Sequence, residues 1–333
     1  MILVTGGAGY IGSHALLALR ERQRDVLVLD DLSEGHRGAL RGAPLVEASM
    51  LDAAAVEQVF ATHRIDAVMH FAARCYVGES VREPGLYYRA NVLGTLHLLE
   101  AMVRHGCKRF VFSSTCATYG EPERQPITEE AAQAPVNPYG ETKLVCERML
   151  RDFAHAHGID VVALRYFNAA GADPGGRIGE DHAPETHLLP LVLGTLLGQR
   201  PVITVFGADY PTRDGTCIRD YVHVTDLAEA HVLALLAMER GELRGMHAFN
   251  LGNELGTSVL EVIASAERVT GKPVPTAIGP RRPGDPPVLV GSSAKIKRVL
   301  GWQPRHAAID QIVATAWAWH RAHPAGFGEG HRV

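Results

Sequence analysis

Thr5-Gly6-Gly7-Ala8-Gly9-Tyr10-Ile11-Gly12 follows the apolar run Ile2-Leu3-Val4 and leads into a helical pattern. Glycines at 6, 9 and 12 let the backbone turn tightly, approach a pyrophosphate at a helix N-terminus, and pack helix against strand. With 34 glycines in 333 residues such a triplet arises readily by chance, so its weight comes from its place between strand one and helix one. It predicts a dinucleotide-binding βαβ unit.

Working outward, short β-branched runs alternate with longer helical patterns, the sign of a parallel sheet covered on both faces. Strands are expected at Ile2 to Thr5, Val26 to Asp30, Leu45 to Glu47, Ala67 to Phe71, Phe110 to Ser113 and Val161 to Leu164. Helices are expected at Glu57 to His63, Asn91 to His105 and Pro138 to His157. The fold class is therefore α/β, a doubly wound parallel sheet of Rossmann type. From about Arg165, Pro and Gly become frequent, as in Asp173-Pro174-Gly175-Gly176, and fewer helices are expected there. This half reads as a smaller C-terminal α/β lobe, with the strand-helix-strand stretch Tyr221 to Leu251 returning to the main sheet.

The bulk numbers exclude several partners. A net charge of -4 and a pI near 6.5 provide no broad field for nucleic acid or an anionic membrane. The five cysteines are widely spaced, without a Cys-x-x-Cys pair or a Cys/His ligand cluster, so neither disulfides nor a metal is expected and a reducing cytoplasm fits. The apolar run Leu188 to Leu197 is broken by Pro190 and Gly194, and no export or membrane segment is read.

Strand two ends in Asp30-Asp31, about 20 residues past the glycines, where a carboxylate accepts hydrogen bonds from an adenine ribose and repels a 2′-phosphate. NAD is thus favoured over NADP, although two solvated turn aspartates are the plainer alternative. Pro138-Tyr139-Gly140-Glu141-Thr142-Lys143 opens a helix behind the capping residue Asn137, which places Tyr139 and Lys143 on one face. A phenolate usable near pH 7 needs about 4 kcal/mol of help relative to a free tyrosine. A neighbouring ammonium, the helix start and a nicotinamide cation together are expected to supply it. Phe112-Ser113-Ser114-Thr115 ends a strand and sets a hydroxyl beside the same pocket.

Assembled, these segments resemble the extended short-chain dehydrogenase/reductase superfamily and, within it, the UDP-glucose 4-epimerases. The likeness runs nearly end to end: His70-Phe71-Ala72-Ala73, Val77-Gly78-Glu79-Ser80, Ser113 to Gly120, Asn137-Pro138-Tyr139-Gly140, Arg165-Tyr166-Phe167-Asn168, Thr186-His187-Leu188, Asp214 to Tyr221 and Arg281-Arg282-Pro283-Gly284-Asp285. The resemblance implies that Tyr139 removes the proton of the sugar 4-hydroxyl while hydride passes to NAD, that Thr115 holds this hydroxyl, and that Lys143 anchors the nicotinamide ribose. The resulting 4-keto sugar turns over and takes hydride back on its other face, interconverting UDP-glucose and UDP-galactose.

The resemblance further implies cofactor contacts from Gly6, Gly9, Tyr10, Ile11, Gly12, Asp30, Asp31, Phe71, Ala72, Asn91, Ser113, Tyr139, Lys143 and Tyr166. It implies UDP-sugar contacts from Thr115, Tyr139, Asn168, His187, Leu188, Arg219, Arg282 and Asp285, with Leu289 as gate near sugar carbon 2. Residues 1–170, with 220–252 returning, would form the NAD domain and 171–333 the UDP-sugar lobe. A homodimer through the Asn91 and Tyr139 helices is implied, although Leu93, Leu96, Leu99 and Met102 equally suit an internal core. Two positions depart from the pattern: Ser49 stands where Asp is common and Cys75 where some members carry Lys. Open alternatives are epimerases acting on UDP-xylose/UDP-arabinose or UDP-N-acetylglucosamine, a 4,6-dehydratase, whose Asp-Glu pair is here Cys116-Ala117, and a non-catalytic NAD sensor.

Overall fold

The computed structural model describes residues 1–282 and 284–328. Six strands of the first half are β1 (Ile2–Thr5), β2 (Val26–Asp30), β3 (Leu45–Glu47), β4 (Ala67–His70), β5 (Arg109–Thr115) and β6 (Asp160–Tyr166). A seventh, Met246–Leu251, completes one parallel sheet in the order Met246–Leu251, β6, β5, β4, β1, β2, β3. The winding direction reverses between β1 and β4, and there the carboxyl ends of the strands open a crevice. Thr5 stands opposite both Leu29 and His70, so the chain leaves β1 at the mouth of that crevice.

Cover on both faces explains the unbroken apolar strands. Ile2 and Val4 join a core with Leu16 of helix Tyr10–Glu21 and Leu227 of helix Val224–Glu239. Leu3 joins the opposite core with Val56, Leu98 and Leu150, from helices Ala53–Thr62, Gly94–Arg104 and Pro138–His157. Each such buried side chain contributes about 1.5–3 kcal/mol.

Several element bounds differ from the sequence expectations, each for a local reason. The second helix starts at Ala53, before Glu57, because the Asp52 carboxylate accepts from the amides of Ala54 and Ala55, both at 3.0 Å, and the alanines have high helix propensity without any apolar period. The helix expected from Asn91 begins instead as a π-type turn, Tyr88–Leu93, before Gly94–Arg104. There Asn91 accepts from the Arg74 amide at 2.8 Å and donates to the Arg74 carbonyl and to Thr142 Oγ1 at 3.1 and 3.0 Å, bonds outside the helical ladder. Strands β5 and β6 extend beyond the expected residues at both ends, whereas β4 stops at His70. Leu99 and Met102 are fully buried in the core, and Leu93 is exposed.

The second half is not poor in helices. Leu188–Leu196, Val259–Thr270 and Ile309–Ala322 share a third core through Val192, Leu193, Val262, Ile312 and Ala316, and Ala294–Leu300 adds another helix. Its Pro/Gly clusters are joints between elements. Asn168–Ala170 pairs in parallel with Tyr221–His223, and Ile218–Arg219 lies between Thr257–Ser258 and Val288–Leu289. These small sheets bring Asn168, Ala169 and Leu289 to the crevice. Among the described residues no helix is long and apolar enough to cross a membrane.

Candidate active site

A cleft of about 450 Å³ lies at the crevice and gathers Gly6, Gly9, Tyr10, Ile11, Gly12, Phe71, Ser113, Thr115, Tyr139, Lys143, Tyr166, Asn168, His187, Asp285 and Leu289. Seven other residues singled out from the sequence, Asp30, Asp31, Ala72, Asn91, Leu188, Arg219 and Arg282, do not line it. The difference follows from what each side chain does.

Helix Pro138–His157 sets the central pair. Asn137 is extended and accepts from the Gly140 amide at 2.9 Å, closing the helix start behind Pro138. A Cβ at Gly140 would stand 2.5 Å from the Ala117 carbonyl oxygen, so only glycine lets this helix approach the end of β5 so closely. One turn on, the buried Lys143 ammonium donates to the Ser113 carbonyl at 2.9 Å and lies 4.9 Å over the Phe112 ring. Burial lowers its pKa. Burial also holds the Tyr139 phenol well above its ordinary value, aided by Cys75 and Tyr166 and opposed by a hydrogen bond with Thr115. The expected lowering involved a nicotinamide cation together with Lys143 and the helix start, and in the protein alone the effect of burial on the phenol is the larger.

Behind this pair is a closed polar network that the sequence reading passed over. The Arg165 guanidinium, on β6, makes three bonds to the Glu147 carboxylate, with Nε to Oε1 at 2.9 Å, Nε to Oε2 at 3.2 Å and Nη2 to Oε2 at 2.6 Å. Arg165 Nη1 donates to Tyr119 Oη at 2.8 Å, and that hydroxyl donates to Asn250 Oδ1 at 2.7 Å. Ser114 Oγ donates to Glu147 Oε1 at 2.5 Å. Helix Pro138–His157 is thereby fixed to β5, β6 and strand Met246–Leu251. The only signal in the sequence was Glu147 four residues after Lys143.

The glycine turn fits a dinucleotide. Gly6 has φ +70°, and a Cβ there would meet the Ala72 amide nitrogen at 2.4 Å, which packs the turn against the segment following β4. Helix Tyr10–Glu21 has no side-chain cap at Gly9 and no acidic residue in its first turn, and nothing but Gly6 O lies within 4 Å of a Cβ built at Gly9. Its first amides therefore remain for an anion. Asp30 braces this turn, with Oδ2 accepting from the Ala8 amide and Oδ1 from the Leu32 amide, both at 2.9 Å. Burial raises its pKa. Asp31 accepts from the amide and hydroxyl of Ser33 at 3.0 and 2.6 Å, the plain turn bond that the sequence allowed as its alternative.

On the far wall the residues pair among themselves. Arg219 forms an ion pair with Asp285, and Asn168 Nδ2 donates to the Asp220 carbonyl at 3.1 Å. The Arg282 guanidinium lies 4.2 Å over the Phe206 ring, beside an adjoining depression that shares Gly284 and Asp285 with the cleft. Leu188 begins the helix Leu188–Leu196 and joins the third core. Leu289 packs with Tyr119, Ile127 and Phe167 while facing the cleft. Cys116, next to Thr115, is half-buried, and desolvation pushes its thiol up to about 12.

The loop before Leu188 holds a grouping that the sequence reading did not foresee. Glu180, His182, Glu185 and His187 bring one ligand atom each within 4.8 Å of one another. Neighbouring carboxylates raise the pKa of His182, to about 10, and of His187, against the effect of burial. This grouping is of Glu and His, not the Cys/His type sought in the sequence. A Glu-x-His-x-x-Glu-x-His spacing is visible in the chain, but in a loop it has no period that foretells convergence.

The family description "NAD dependent epimerase/dehydratase" matches residues 2–252, which span the whole parallel sheet and the Thr115, Tyr139 and Lys143 site. The chain belongs to the NAD dependent epimerase/dehydratase family. Within that family, a UDP-glucose 4-epimerase of Halalkalibacterium halodurans is 53% identical over 98% of this chain and 97% of its own. The solved UDP-glucose 4-epimerase of Brucella ovis in complex with NAD is 49% identical, with 95% of this chain and 97% of that one covered and a TM-score of 0.92. The Bifidobacterium longum UDP-glucose 4-epimerase in complex with NAD+ and UDP is 39% identical, covers 98% and 99%, and also superposes with a TM-score of 0.92.

Proposed function

We propose that this chain interconverts UDP-glucose and UDP-galactose by reversible oxidation at sugar carbon 4, with NAD kept bound. The observation that carries the reading is the union, in one cleft, of Thr115, Tyr139 and Lys143 with an uncapped glycine-turn helix start, in a chain about half identical to UDP-glucose 4-epimerases along its length. Cys116 and Ala117 after Thr115 give no carboxylic acid for eliminating water, which disfavours the dehydratase.

In this reading NAD, when bound, supplies a reversible hydride acceptor. The amides following Gly9 would hold its pyrophosphate, and Lys143, with one of its three donors spent on Ser113, would have the others free for the nicotinamide ribose. Thr115 orients the sugar 4-hydroxyl and Tyr139 takes its proton. Since burial keeps this phenol protonated in the protein alone, proton removal is confined to the state in which positive charge occupies the cleft. Asp285 and Arg219 exchange part of their mutual pairing for the uridine and diphosphate, respectively. Leu289 limits the space near carbon 2. Residues 1–170, with 220–252, are proposed as the NAD domain and 171–333 as the UDP-sugar lobe. The exposed Val81, Tyr88 and Leu93 support a homodimer, and five free cysteines support a cytoplasmic setting.

Tyr139→Phe tests the proposal, with an expected fall in turnover of about 10²–10⁴-fold and calorimetric UDP affinity within a few-fold of wild type. Near-normal turnover on UDP-galactose would remove the base from the mechanism. Assay of wild type on UDP-xylose and UDP-N-acetylglucosamine ranks the remaining substrates.

A further inference from the structure

Glu180, His182, Glu185 and His187 lie on the short segment before helix Leu188–Leu196, and among the described residues they are the one gathering of three or more His, Cys, Asp or Glu ligands around a common point. His187 Nδ1 lies 2.9 Å from Glu180 Oε1 and 3.0 Å from Glu185 Oε1. His182 Nδ1 lies 3.3 Å from Glu180 Oε1 and 3.4 Å from Glu185 Oε2. We propose that these four side chains form a binding site for one divalent ion of the zinc class, with two imidazole nitrogens and two carboxylate oxygens as ligands.

Distance is the first argument. Four ligands at about 2.0–2.1 Å in a tetrahedron stand about 3.3 Å from one another. The four His to carboxylate separations bracket that value, and all four ligand atoms lie within 4.8 Å of one another, so an entering ion has only to draw the wider pairs inward.

Direction is the second. Glu180 Oε1 and His182 Nδ1 are buried and form no hydrogen bond of proper geometry, although each has a neighbour within ion-pair distance. Atoms that approach closely without aligning on each other have the disposition of ligands about a shared centre. Glu180 is only 3% exposed, and a buried carboxylate left without directed donors is costly unless a cation meets it.

Preorganisation and charge complete the case. The His182 ring is fixed edge-on by Tyr10 at 6.1 Å and Tyr76 at 6.4 Å, and is flanked by His187 at 5.1 Å. Two carboxylates neutralise a divalent ion, and two imidazoles select the zinc class over magnesium or calcium, which take oxygen ligands. Because Glu180, His182 and His187 also line the main cleft, the ion would stiffen a wall of the substrate pocket, and His187 would serve it before any diphosphate.

Full-length protein carrying its own NAD, stripped with a chelator and dialysed, is to be titrated with Co²⁺ and then Zn²⁺. One equivalent of Co²⁺ per chain should give the visible bands of a four-coordinate ion, displaced by Zn²⁺, with micromolar or tighter affinity. Glu180→Gln and, at a less buried position, Glu185→Gln should each weaken binding about 100-fold or more, in protein whose circular dichroism and NAD content are unchanged. Zn²⁺ should raise the melting temperature of wild type and not of Glu185→Gln. Millimolar binding only, or a cobalt spectrum that neither substitution alters, would overturn the site and leave the cluster held by shared protons.

Discussion

Of the helices whose N-terminal ends meet the cleft, Pro138–His157 and Leu188–Leu196 are finished in opposite ways. The first is capped by Asn137 and tied down by Glu147 and Arg165, whose polar atoms are met by aligned partners. The second starts at His187 with no cap from that side chain, and although Glu185 Oε1 accepts from the amides of Thr186 and His187 and pairs with His187 Nδ1, the buried Glu180 Oε1 and His182 Nδ1 before it have no aligned bond. The difference separates a support from a receptor: polar groups that hold Tyr139 and Lys143 in place are satisfied within the protein, whereas groups able to take something up are left facing a shared space.

The strongest way to break this contrast is to remove one charge from each grouping and measure urea unfolding. Arg165→Leu strands a buried carboxylate and should cost about 3–5 kcal/mol. Glu180→Gln should cost less than about 2 kcal/mol, because the histidine it releases sheds its proton and is not left as a buried charge. Equal losses would show that the two groupings are alike.

A second test uses histidines, which the two regions treat differently. His70 is enclosed between Thr5 Oγ1 at 2.6 Å and Thr95 Oγ1 at 3.0 Å, and burial, with Lys143 nearby, lowers its pKa to about 3. Its folded value lies below the unfolded value of about 6.5, so the unfolded state binds the proton first and stability falls as pH drops from about 6.5 toward 3, by about 1.4 kcal/mol per pH unit. His14 and His231, each lowered to about 4, add to the same slope. His70→Asn should make the acid loss shallower by about one proton. An unchanged slope from pH 6 to 4 would contradict the neutral, enclosed state of this ring.

The smallest effect concerns the helix start itself. Asn137→Ala should cost about 1 kcal/mol and Asn137→Ser should recover most of it, as measured by thermal unfolding. If serine and alanine prove equivalent, the bond to the Gly140 amide is not what closes this end.

Legibility followed the range of the forces involved. The strands from Ile2 to Tyr166, the glycine turn, and the Asn137-Pro138 helix start are governed by neighbours in the chain, and their residues name them with small errors of bound. Asp52 before three alanines and the π-type turn at Tyr88–Leu93 escaped because capping and a side chain drawn to Arg74 leave no apolar period. The Glu147 to Arg165 network and the Glu180 to His187 cluster depend on elements that meet only in the folded protein. Asp30 was marked for its charge, while its carboxylate is largely engaged in holding the glycine turn.

The last strand to enter the sheet, Met246–Leu251, pairs with β6 from Val161 to Tyr166 and comes from far downstream. During synthesis at about 5–20 residues per second, the offset of roughly 85 positions between register partners leaves the outer edge of β6 without its partner for about 4–17 s. That edge carries Val161, Ala163 and Leu164, a sticky template for another copy of the nascent chain. A fragment ended near residue 170 would keep it open permanently, so the nucleotide-binding half is expected to collect as inclusion bodies when expressed without the segment that closes it.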